Sequence, residues 1–570
     1  MKEESIATDK IWRAFGKPRQ GPIFNKRQSA KLNYRKRIRE CEQSAIKSYS
    51  NDLHEALMKK DGATFWKCWR SKFECPNYCD QVNGCVDDNL IVENFAEHFR
   101  KIYSCVNADR AITLQAEYLQ KREHYFGLPL LDEYLFDTEI VSKTIDNLKR
   151  GKAPGPDGLT AEHLIYCHPV ISCLLAKLFN VMLMSGHVPD SFGLCYTVPI
   201  PKVKGTRTRA LKVDDFRGIG ISSIISKIFE HCTVDRFQSF LHTADNQFGF
   251  KRGSGCRDAV YAVRRLVDHF VDGGSTVNIC SIDLSKAFDK VNHHALLLKL
   301  ISRKIPLSLL KIIESWYFNS WTYIKWKSST SLCFKVNYGV RQGSVLSPFF
   351  FALYIDDIVK SLELGQQCFI IMYADDILLL APSVVELQRI FSACESELIS
   401  VDMAINASKS GCIRIGPRYN YKCANIVTSS GQVIPWVKDM RYLGIIIVSH
   451  VRFKCSIEHA KRVFYCAANG IFGKVGRFAS EEVTLQLLNS KCMPALLYGL
   501  EACNLNKTTR NSLDFPVMRF AMKLFKTSNV NVAIECLGYF DMQMPSAILA
   551  IRESKLHQQN LKSENYLLNW

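Results

Sequence analysis

The sequence lacks the features that mark membrane and secreted proteins. No apolar run reaches the roughly 18 residues that a membrane-spanning helix needs. The opening residues, MKEESIATDK, are rich in charge and contain no apolar stretch of the kind found in secretory leaders. Internal repeats and low-complexity tracts are missing too, which argues against solenoid and fibrous proteins. We therefore expect an intracellular globular protein with no membrane partner.

Cysteine is plentiful, but ordered cysteine spacing is missing. The 22 cysteines include no Cys-X-X-Cys pair and no regular framework, which argues against a disulfide scaffold. One group is clustered in the sequence: Cys68, Cys75, Cys79 and Cys85. Its spacings match no zinc module, so a zinc site is kept only as a minor alternative. We expect reduced thiols, most of them buried.

Acidic residues are scarce relative to basic ones. The chain has 74 Lys and Arg against 55 Asp and Glu, a net charge of +19 and a pI near 9.0. Such an excess suits a polyanionic partner, because each phosphate neutralised by a cation releases a counterion. A generically basic surface would explain the charge equally well. The length of 570 residues predicts three or four domains, at roughly 150 residues per domain.

The hydrophobic pattern changes along the chain and predicts an α+β fold. Helical spacing dominates the first part, and KAPGPDGLT at 152–160 predicts a turn-rich loop before a helix over Ile171–Leu183. Short apolar runs then predict strands at Tyr196–Ile200, Val277–Leu284, Phe369–Tyr373 and Ile377–Leu380. After about residue 450 the pattern is helical again, and the predicted helices include Leu485–Leu500 and Ser546–Leu556.

Two adjacent carboxylates stand between apolar runs in CFIIMYADDILLLA. The alternation predicts a β-hairpin with Asp375 and Asp376 at its tight turn. Carboxylates beside a core are costly unless a cation or another partner compensates them. The simpler interpretation is an exposed turn, since Asp is common in turns.

A third carboxylate, Asp283, ends another apolar strand, and the chain then turns toward a helix near Asn292. If this strand end meets the Asp375 turn, the carboxylates form a set of oxygen ligands suited to Mg²⁺. Two such ions, about 3.5–4 Å apart, would serve phosphoryl transfer. A helix cap is the simpler role for Asp283. Asp289 lies beyond the strand end, and we expect it to be structural.

An ordered series of motifs resembles reverse transcriptases, and most closely those of non-LTR (LINE-type) retrotransposons. Tyr373–Asp376 (YADD) matches the catalytic motif of that family. The other matching segments, in chain order, are KAPGPDGLT, VPIPK (198–202), DDFRGIGIS (214–222), QFGFKRGSG (247–255), the Asp283 strand, GVRQGSVLSPFFFALYIDD (339–357), NASKSG (406–411) and RYLGI (441–445). WRAFGKPRQGPIF, FWKCWRSKF and CLGYFDMQMPSAILAIRESKL are similar to segments that flank the LINE-type enzyme.

The resemblance implies a right-hand polymerase fold with fingers, a palm built on an antiparallel sheet, and a helical thumb. It places a basic helical N-terminal extension at 1–125, fingers and palm at 126–450, and the thumb with the C-terminal region at 451–570. In such an enzyme Asp283, Asp375 and Asp376 are catalytic and hold two Mg²⁺ ions, with Mn²⁺ as a substitute, and the Leu284 carbonyl assists. Lys202 and Arg217 hold the incoming triphosphate, a role suited to a point charge and a fork of donors. Without the surrounding motifs they are ordinary surface cations.

The resemblance also assigns the parts of the site that select the substrate. Phe288 is the steric gate that crowds a ribose 2′-hydroxyl, although it is also compatible with a core aromatic. Gln342 and Gly343 line the nascent base pair, and glycine suits a close backbone approach. Lys409 resembles a lysine that protonates the leaving pyrophosphate; a surface lysine is the alternative. The primer grip consists of Tyr442, Leu443 and Gly444, for which an ordinary strand and turn is the alternative.

The implied function is RNA-directed DNA synthesis from an RNA template, a DNA primer and dNTPs, in the nucleus by analogy with the family. Two departures bear on it. Gly218 follows Arg217 where the family has proline, so we expect a looser backbone and weaker nucleotide binding. No room is left for the family's endonuclease, so we expect the chain to lack one. Alternatives are a decayed or domesticated nucleic-acid-binding relative and, less favoured, a group II intron maturase.

Overall fold

The structure is a computed structural model, and it describes residues 2–59, 62–73, 81–202, 211–361, 367–475 and 479–569. The chain divides into two compact units. The first contains 1–77, 457–501 and 505–553, and the second contains 78–456, 502–504 and 554–570. The three functional domains expected from the sequence stay a prediction, because compactness alone does not assign a function to a segment.

Helices make up most of the first unit. In the second unit, helices of that same unit pack against the sheets. The α-helices are α1 (Lys2–Ala14), α2 (Pro22–Met58), α3 (Gly62–Phe73), α4 (Asp88–Ile102), α5 (Ala108–Glu123), α6 (Thr138–Asp146), α7 (Ala161–Ile165), α8 (Val170–Ser185), α9 (Asp190–Gly193), α10 (Ile224–Arg236), α11 (Cys256–Asp272), α12 (His293–Ser302), α13 (Leu307–Phe318), α14 (Ser347–Ile355), α15 (Asp357–Ser361), α16 (Val384–Ser400), α17 (Glu458–Lys474), α18 (Glu481–Leu487), α19 (Met493–Leu497), α20 (Lys507–Asn511), α21 (Asp514–Leu524), α22 (Val530–Tyr539), α23 (Pro545–Leu561) and α24 (Tyr566–Asn569). None of these, over the residues described, is long and apolar enough to cross a membrane.

The strands all lie in the second unit and form separate sheets. They are β1 (Leu194–Pro201), β2 (Phe216–Ser222), β3 (Val277–Ile282), β4 (Trp321–Trp326), β5 (Ser329–Thr330), β6 (Phe334–Lys335), β7 (Phe369–Tyr373), β8 (Asp376–Ala381), β9 (Gly411–Ile415), β10 (Ile426–Val427), β11 (Val433–Ile434), β12 (Asp439–Tyr442), β13 (Ile445–Val448) and β14 (Cys455–Ser456). The predicted α+β class is confirmed, and so are the predicted strands near 196, 277, 369 and 377.

The central sheet has the order β7-β8-β3-β9, with every neighbouring pair antiparallel. Its inner strands read as almost continuous apolar runs because helices cover both sides of the sheet. Alternate residues such as Ile370, Ile377 and Leu379 join a core cluster that includes Leu387 and Phe391 of α16. Helix α11 packs on β7 and β3 with its own apolar stripe. The sheet is therefore a rigid base for the turns at its edge.

A second sheet is built on β2, β1 and β4, with β1 and β2 antiparallel and β1 and β4 parallel. The strands β5 and β6 both pair with β4. Helix α4 packs on this sheet, where Phe95 and Phe99 join a small core with Phe216 and Trp326. This sheet carries the basic strand ends that are described below.

The lack of a side chain at Gly218 has a packing reason. It lies within the β1–β2 ladder, opposite Pro199. A Cβ at Gly218 would lie 2.7 Å from Cε1 of Phe99 and 2.8 Å from Cγ2 of Thr197. The missing side chain thus lets the Phe99 ring lie against the strand. Whether nucleotide binding is weaker than in relatives with proline stays a prediction.

Gly218→Ala is therefore expected to lower the free energy of unfolding by about 1–3 kcal/mol, the usual cost of overpacking a core. Gly220→Ala in the same strand is the matched control, because its nearest neighbour is 3.7 Å away. The measurement is the urea midpoint of each variant. Combining Gly218→Ala with Phe99→Ala should remove most of the additional cost; an unchanged cost in that background would contradict this packing account.

One predicted helix differs from the structure. The segment Leu485–Leu500 is not a continuous α-helix, because a π-helical stretch, Leu488–Cys492, separates α18 from α19. Pro494 at the start of α19 cannot donate a backbone hydrogen bond, which favours the wider turn before it. The chain leaves the helix at Tyr498, and Gly499 takes a left-handed φ of 68°. The prediction at Ser546–Leu556 is confirmed by α23.

Candidate active site

The predicted acidic turn joins β7 to β8 at the edge of the central sheet. Tyr373 pairs with Asp376, so Ala374 and Asp375 form the two-residue connection. Ala374 has a left-handed φ of 54°, a conformation that a residue with a side chain adopts only at a cost. The structure thus confirms the hairpin and places both carboxylates at its tip.

A side chain that the sequence did not single out holds this turn in place. The Oε1 atom of Gln247 accepts the backbone N–H of Ala374 and that of Gly249, each at 2.9 Å. Gly249 fits closely, since a Cβ there would lie 2.5 Å from the Ala374 nitrogen. Gln247 and Gly249 belong to the motif QFGFKRGSG. The sequence places this motif in the ordered series but assigns no role to its residues. Gln247 therefore fixes the backbone of the acidic turn by hydrogen bonding, and Gly249 leaves room for that backbone.

Asp283 reaches the same edge from the neighbouring strand. Strand β3 pairs with β8 so that Ile282 lies opposite Ile377, which brings the next residue, Asp283, beside Asp376. The backbone at Asp283 is fixed by two hydrogen bonds, one from Asn406 N–H to its carbonyl at 2.8 Å and one from its own N–H to Ser410 Oγ at 3.1 Å. Leu284 forms an antiparallel bridge with Ile405. The strand end is therefore clamped by the NASKSG segment.

The three acids lie near enough to one another to influence each other's pKa values. Burial raises the pKa of Asp375, and the neighbouring Asp283 carboxylate raises it further. Burial raises the pKa of Asp376 to about 6, with both other carboxylates adding to the shift. The pKa of Asp283 is also raised by burial. Carboxylates held together in this way disfavour one another's charged forms.

This arrangement fits a divalent cation. Over the part of the chain that the structure describes, no three His, Cys, Asp or Glu side chains form a preassembled metal-binding group. The acids nonetheless provide hard oxygen donors at the ends of strands, and a cation bound beside them would favour their charged forms. The donor set suits Mg²⁺ or Mn²⁺ better than a softer metal.

Basic side chains surround the acids from the β1–β2 sheet. Lys202 directly follows β1, and its Nζ donates to the Asp214 carbonyl at 2.5 Å. Burial lowers the pKa of Lys202, and the nearby Lys409 lowers it further. Arg217 on β2 is near enough to Asp375 to oppose the rise in that carboxyl's pKa. Arg217 is thus near Asp375, and Lys202 is near Lys409, which itself lies near Asp283.

Lys409 also lies near the acids, with its Nζ 4.0 Å from Oδ2 of Asp283. Sequence reasoning missed two further groups in the same neighbourhood. Lys286 Nζ lies 3.5 Å from Oδ1 of Asp214, and His98 Nε2 lies 3.7 Å from the same oxygen. His98 comes from α4, far away in sequence, so no local pattern could have placed it here.

Phe288 lies immediately beside this group and is half-buried. Its ring stacks on Phe351 at a centroid distance of 4.4 Å and meets Phe250 edge-on at 6.3 Å. One face of Phe288 therefore belongs to the core cluster. Packing of this kind fixes the ring orientation, which a steric gate needs as much as a core residue does.

Gln342 and Gly343 lie against β2. Gly220 N–H donates to the Gln342 carbonyl at 2.8 Å, and a Cβ on Gly343 would lie 2.4 Å from the Gly220 carbonyl. Gly343 also has a left-handed φ of 128°. The Gln342 side chain donates to Oδ1 of Asp289 at 2.9 Å, and burial raises the pKa of Asp289 to about 6. Asp289, expected to be structural, thus positions a residue of the predicted site.

The predicted primer grip is a tight hairpin between β12 and β13. Leu443 and Gly444 form its two-residue turn, both with positive φ, as a type I′ turn requires. Tyr442 is buried, and its hydroxyl makes no hydrogen bond within the described structure. Burial raises the pKa of Tyr442, and Asp376 is the first charged neighbour to add to that shift. The hairpin therefore lies close to the acids.

An open cavity of about 1100 Å³ adjoins the Gln342–Gly343 segment. Its lining includes part of the KAPGPDGLT loop, the end of β2 and one side of α10. The charged lining residues are mostly basic: Lys143, Lys149, Lys152, Lys227 and Arg252, with Asp235. Gly155 brings the loop close to β2, since a Cβ there would lie 2.7 Å from the Ser222 carbonyl. The cavity is thus a basic channel beside the site.

The clustered cysteines contribute nothing to this site in the described structure. Cys75 and Cys79 lie outside the described residues, so the minor zinc alternative stays as it stood. Cys68 and Cys85 are partly buried thiols in different units of the chain. Most of the other described cysteines are buried or partly buried, as expected.

Comparison with known proteins finds a family match over part of the chain. Residues 200–447 match the family described as "Reverse transcriptase (RNA-dependent DNA polymerase)". The chain is 28% identical over 318 residues to the "Retrovirus-related Pol polyprotein from type-2 retrotransposable element R2DM" of Drosophila melanogaster. The aligned residues make up 53% of this chain and 29% of that protein. The chain is 24% identical over 381 residues to the "RNA-directed DNA polymerase from mobile element jockey" of Drosophila funebris, covering 64% of this chain and 41% of that protein.

The chain thus spans less than half the length of these two relatives. Among solved structures, apo telomerase from Candida tropicalis is similar at 15% sequence identity and a TM-score of 0.35, covering 70% of this chain and 74% of that one. That structural likeness is too weak to add to the sequence match.

Proposed function

We propose that this chain copies RNA into DNA, because residues 200–447 match the reverse transcriptase family and the chain is similar to polymerases of non-LTR retrotransposons. The observation that carries the proposal is the meeting of Asp283, Asp375 and Asp376 at one sheet edge, with Lys409 and Arg217 nearby. The substrates are an RNA template, a DNA primer and dNTPs. We propose the copying step alone, in the nucleus as the family implies, and assign no DNA cleavage to the chain.

The three acids are the proposed ligands of two Mg²⁺ ions, with the Leu284 carbonyl assisting and Mn²⁺ as a substitute. Held by these three acids, such ions would supply charge that lowers the pKa of a primer hydroxyl and neutralises a triphosphate. The chain itself supplies a fixed frame, since the turn is held by Gln247 and the Asp283 strand end by Asn406 and Ser410. A preorganised frame avoids the cost of assembling like charges at each turnover.

Lys202 and Arg217 are the proposed ligands of the triphosphate, and Lys409 is the proposed proton donor to pyrophosphate. Burial and neighbouring cations disfavour the charged form of Lys202. A phosphate oxygen bound beside its Nζ would favour that charged form again, so Lys202 suits an anionic ligand. Phe288 is the proposed sugar gate, Gln342 and Gly343 line the nascent pair, and the hairpin at 442–444 holds the primer.

The basic cavity is the proposed path of the single-stranded template. Each lysine that contacts a phosphate adds about 0.7 to the slope of log affinity against log salt for a single strand. Lys152→Gln is therefore expected to weaken RNA binding and to reduce that slope by about 0.7. Lys177→Gln, on the exposed side of α8, is the matched control. The measurement is RNA binding across a salt series, and an unchanged slope for Lys152→Gln would exclude the cavity as the template path.

The proposal is tested by primer extension on an RNA template with and without divalent metal. We expect chelation to stop synthesis, and either Mg²⁺ or Mn²⁺ to restore it. Synthesis that persists in excess chelator would contradict the metal role of the acids. A decayed or domesticated relative is the second candidate, favoured only if the chain binds the template and extends nothing under any metal.

A further inference from the structure

A carboxylate that the proposed copying reaction does not use lies among the cations of the site. Oδ1 of Asp214 is 3.7 Å from His98 Nε2 and 3.5 Å from Lys286 Nζ. The backbone carbonyl of the same residue accepts from Lys202 Nζ at 2.5 Å. One residue between β1 and β2 therefore meets three basic side chains from three different parts of the second unit.

The Asp214 side chain is not needed to build the turn that carries it. The short 3-10 helix Val213–Asp215 is closed by the next residue, since Oδ2 of Asp215 accepts the Lys212 N–H at 2.9 Å. The Asp214 side chain remains 71% exposed even in contact with its partners. It can therefore swing into solvent without loss of the local fold.

The cations around Asp214 are crowded. The pKa of Lys202 is lowered by burial and then by its positive neighbours, among them Lys286 and Arg217. The pKa of His98 is lowered by burial and then by Lys286, with Asp214 opposing the shift. Mutual repulsion of this kind is relieved by an anion with more charge than one carboxylate.

The backbone at Lys286 points to a functional reason for its position. Lys286 has a left-handed φ of 52° in the loop directly after Asp283. Two features hold it there: its carbonyl accepts the Asp289 N–H at 2.9 Å, and the next residue, Ala287, is buried. Non-glycine residues in this conformation cluster at ligand sites, where the surrounding structure maintains the strain.

We propose that Lys286 and His98 bind the terminal phosphate of the incoming nucleotide, and that the Asp214 carboxylate occupies that phosphate's place until the nucleotide arrives. The inference rests on the proposed function, and it adds residues that the family resemblance does not assign. A triphosphate carries several negative charges, so it competes with a single carboxylate for the same cations. Asp214 is then displaced toward solvent, and His98 donates a hydrogen bond to a phosphate oxygen.

The proposal predicts opposite effects for two neutral substitutions. Asp214→Asn removes a competing charge, so binding of a dNTP should become about two- to fivefold tighter, the effect of one exposed ion pair. Lys286→Gln removes a ligand, so binding should become roughly tenfold weaker. A residue with only a structural role would not give tighter binding when it is changed.

The experiment measures binding of inorganic tripolyphosphate and of a dNTP to the full chain by calorimetry, because binding needs no synthesis. The matched control for Asp214→Asn is Asp215→Asn, which can keep its turn hydrogen bond. The matched control for Lys286→Gln is Lys121→Gln, on the exposed side of α5. Thermal midpoints of all variants check that each is folded. Tighter binding by Asp214→Asn with weaker binding by Lys286→Gln supports the proposal.

Unchanged or weaker binding by a folded Asp214→Asn variant overturns it. A primer-extension assay run in parallel separates the two claims. Extension by the wild type with no change in tripolyphosphate binding contradicts this inference and leaves the proposed function standing. The predicted binding shifts without extension contradict the proposed function and leave this inference standing.

Discussion

Replacing Asp375 with alanine is expected to abolish DNA synthesis while template binding stays nearly unchanged. Asp375 lies at the tip of the β7–β8 turn beside Asp283, and each carboxylate raises the electrostatic cost of the other. Only three carboxylates are proposed to hold the metal ions, so the loss of one should prevent the metal-dependent reaction rather than merely slow it. The loss should exceed 100-fold, and it is measured as the rate of primer extension at saturating dNTP.

The fold and the basic cavity should tolerate this change, because Asp375 is not part of the core and the cavity lies on other elements. Asp439→Ala, an exposed carboxylate at the start of β12, is the matched control and should retain full activity. RNA binding by the Asp375→Ala variant is measured alongside. Retained synthesis, or a loss of RNA binding equal to the loss of rate, would contradict the assigned role.

Replacing Phe288 with valine is expected to admit ribonucleotides. The ring is fixed by its stack on Phe351 and its edge contact with Phe250, so it cannot turn aside for a 2′-hydroxyl. Cutting the side chain back opens a volume larger than the hydroxyl. We expect discrimination between dNTP and rNTP to fall by roughly 10- to 200-fold, the range that such a change in pocket size supports. The measurement is kcat/KM for a matched dNTP and rNTP.

Phe288→Tyr keeps the ring and is the matched control, so its sugar discrimination should stay close to that of the wild type. The thermal midpoint of Phe288→Val shows how much of the effect comes from the core, since one face of the ring is packed there. An unchanged dNTP preference in a folded Phe288→Val variant would show that the residue is only a core aromatic.

The sequence predicted the parts of the fold that depend on the order of apolar and polar residues within one short segment. Alternating and continuous apolar runs located β7 and β8, and the pair Asp375–Asp376 between them located the turn. The end of β3 just before Asp283 followed from the same reasoning. That these two edges meet was a hypothesis until the register of β3 against β8 brought Asp283 beside Asp376.

The parts that the sequence did not predict depend on contacts between distant segments. Nothing near His98 distinguishes it from other helix residues, and its position beside Asp214 follows only from the packing of α4 on the β1–β2 sheet. Gln247 supports the acidic turn by one side-chain oxygen, which no periodicity reveals. Gly218 was interpreted through its neighbour Arg217, whereas its closest constraint is the Phe99 ring from another element.

The most direct test of the central claim is sequencing of the product made by the purified chain. The reaction contains a DNA primer annealed to an RNA template, all four dNTPs and Mg²⁺, and the Asp375→Ala variant is run beside the wild type. We predict DNA complementary to the RNA from the wild type alone. RNA that is bound but never copied, under Mg²⁺ and Mn²⁺ alike, would contradict the account and identify the chain as a nucleic-acid-binding relative without polymerase activity.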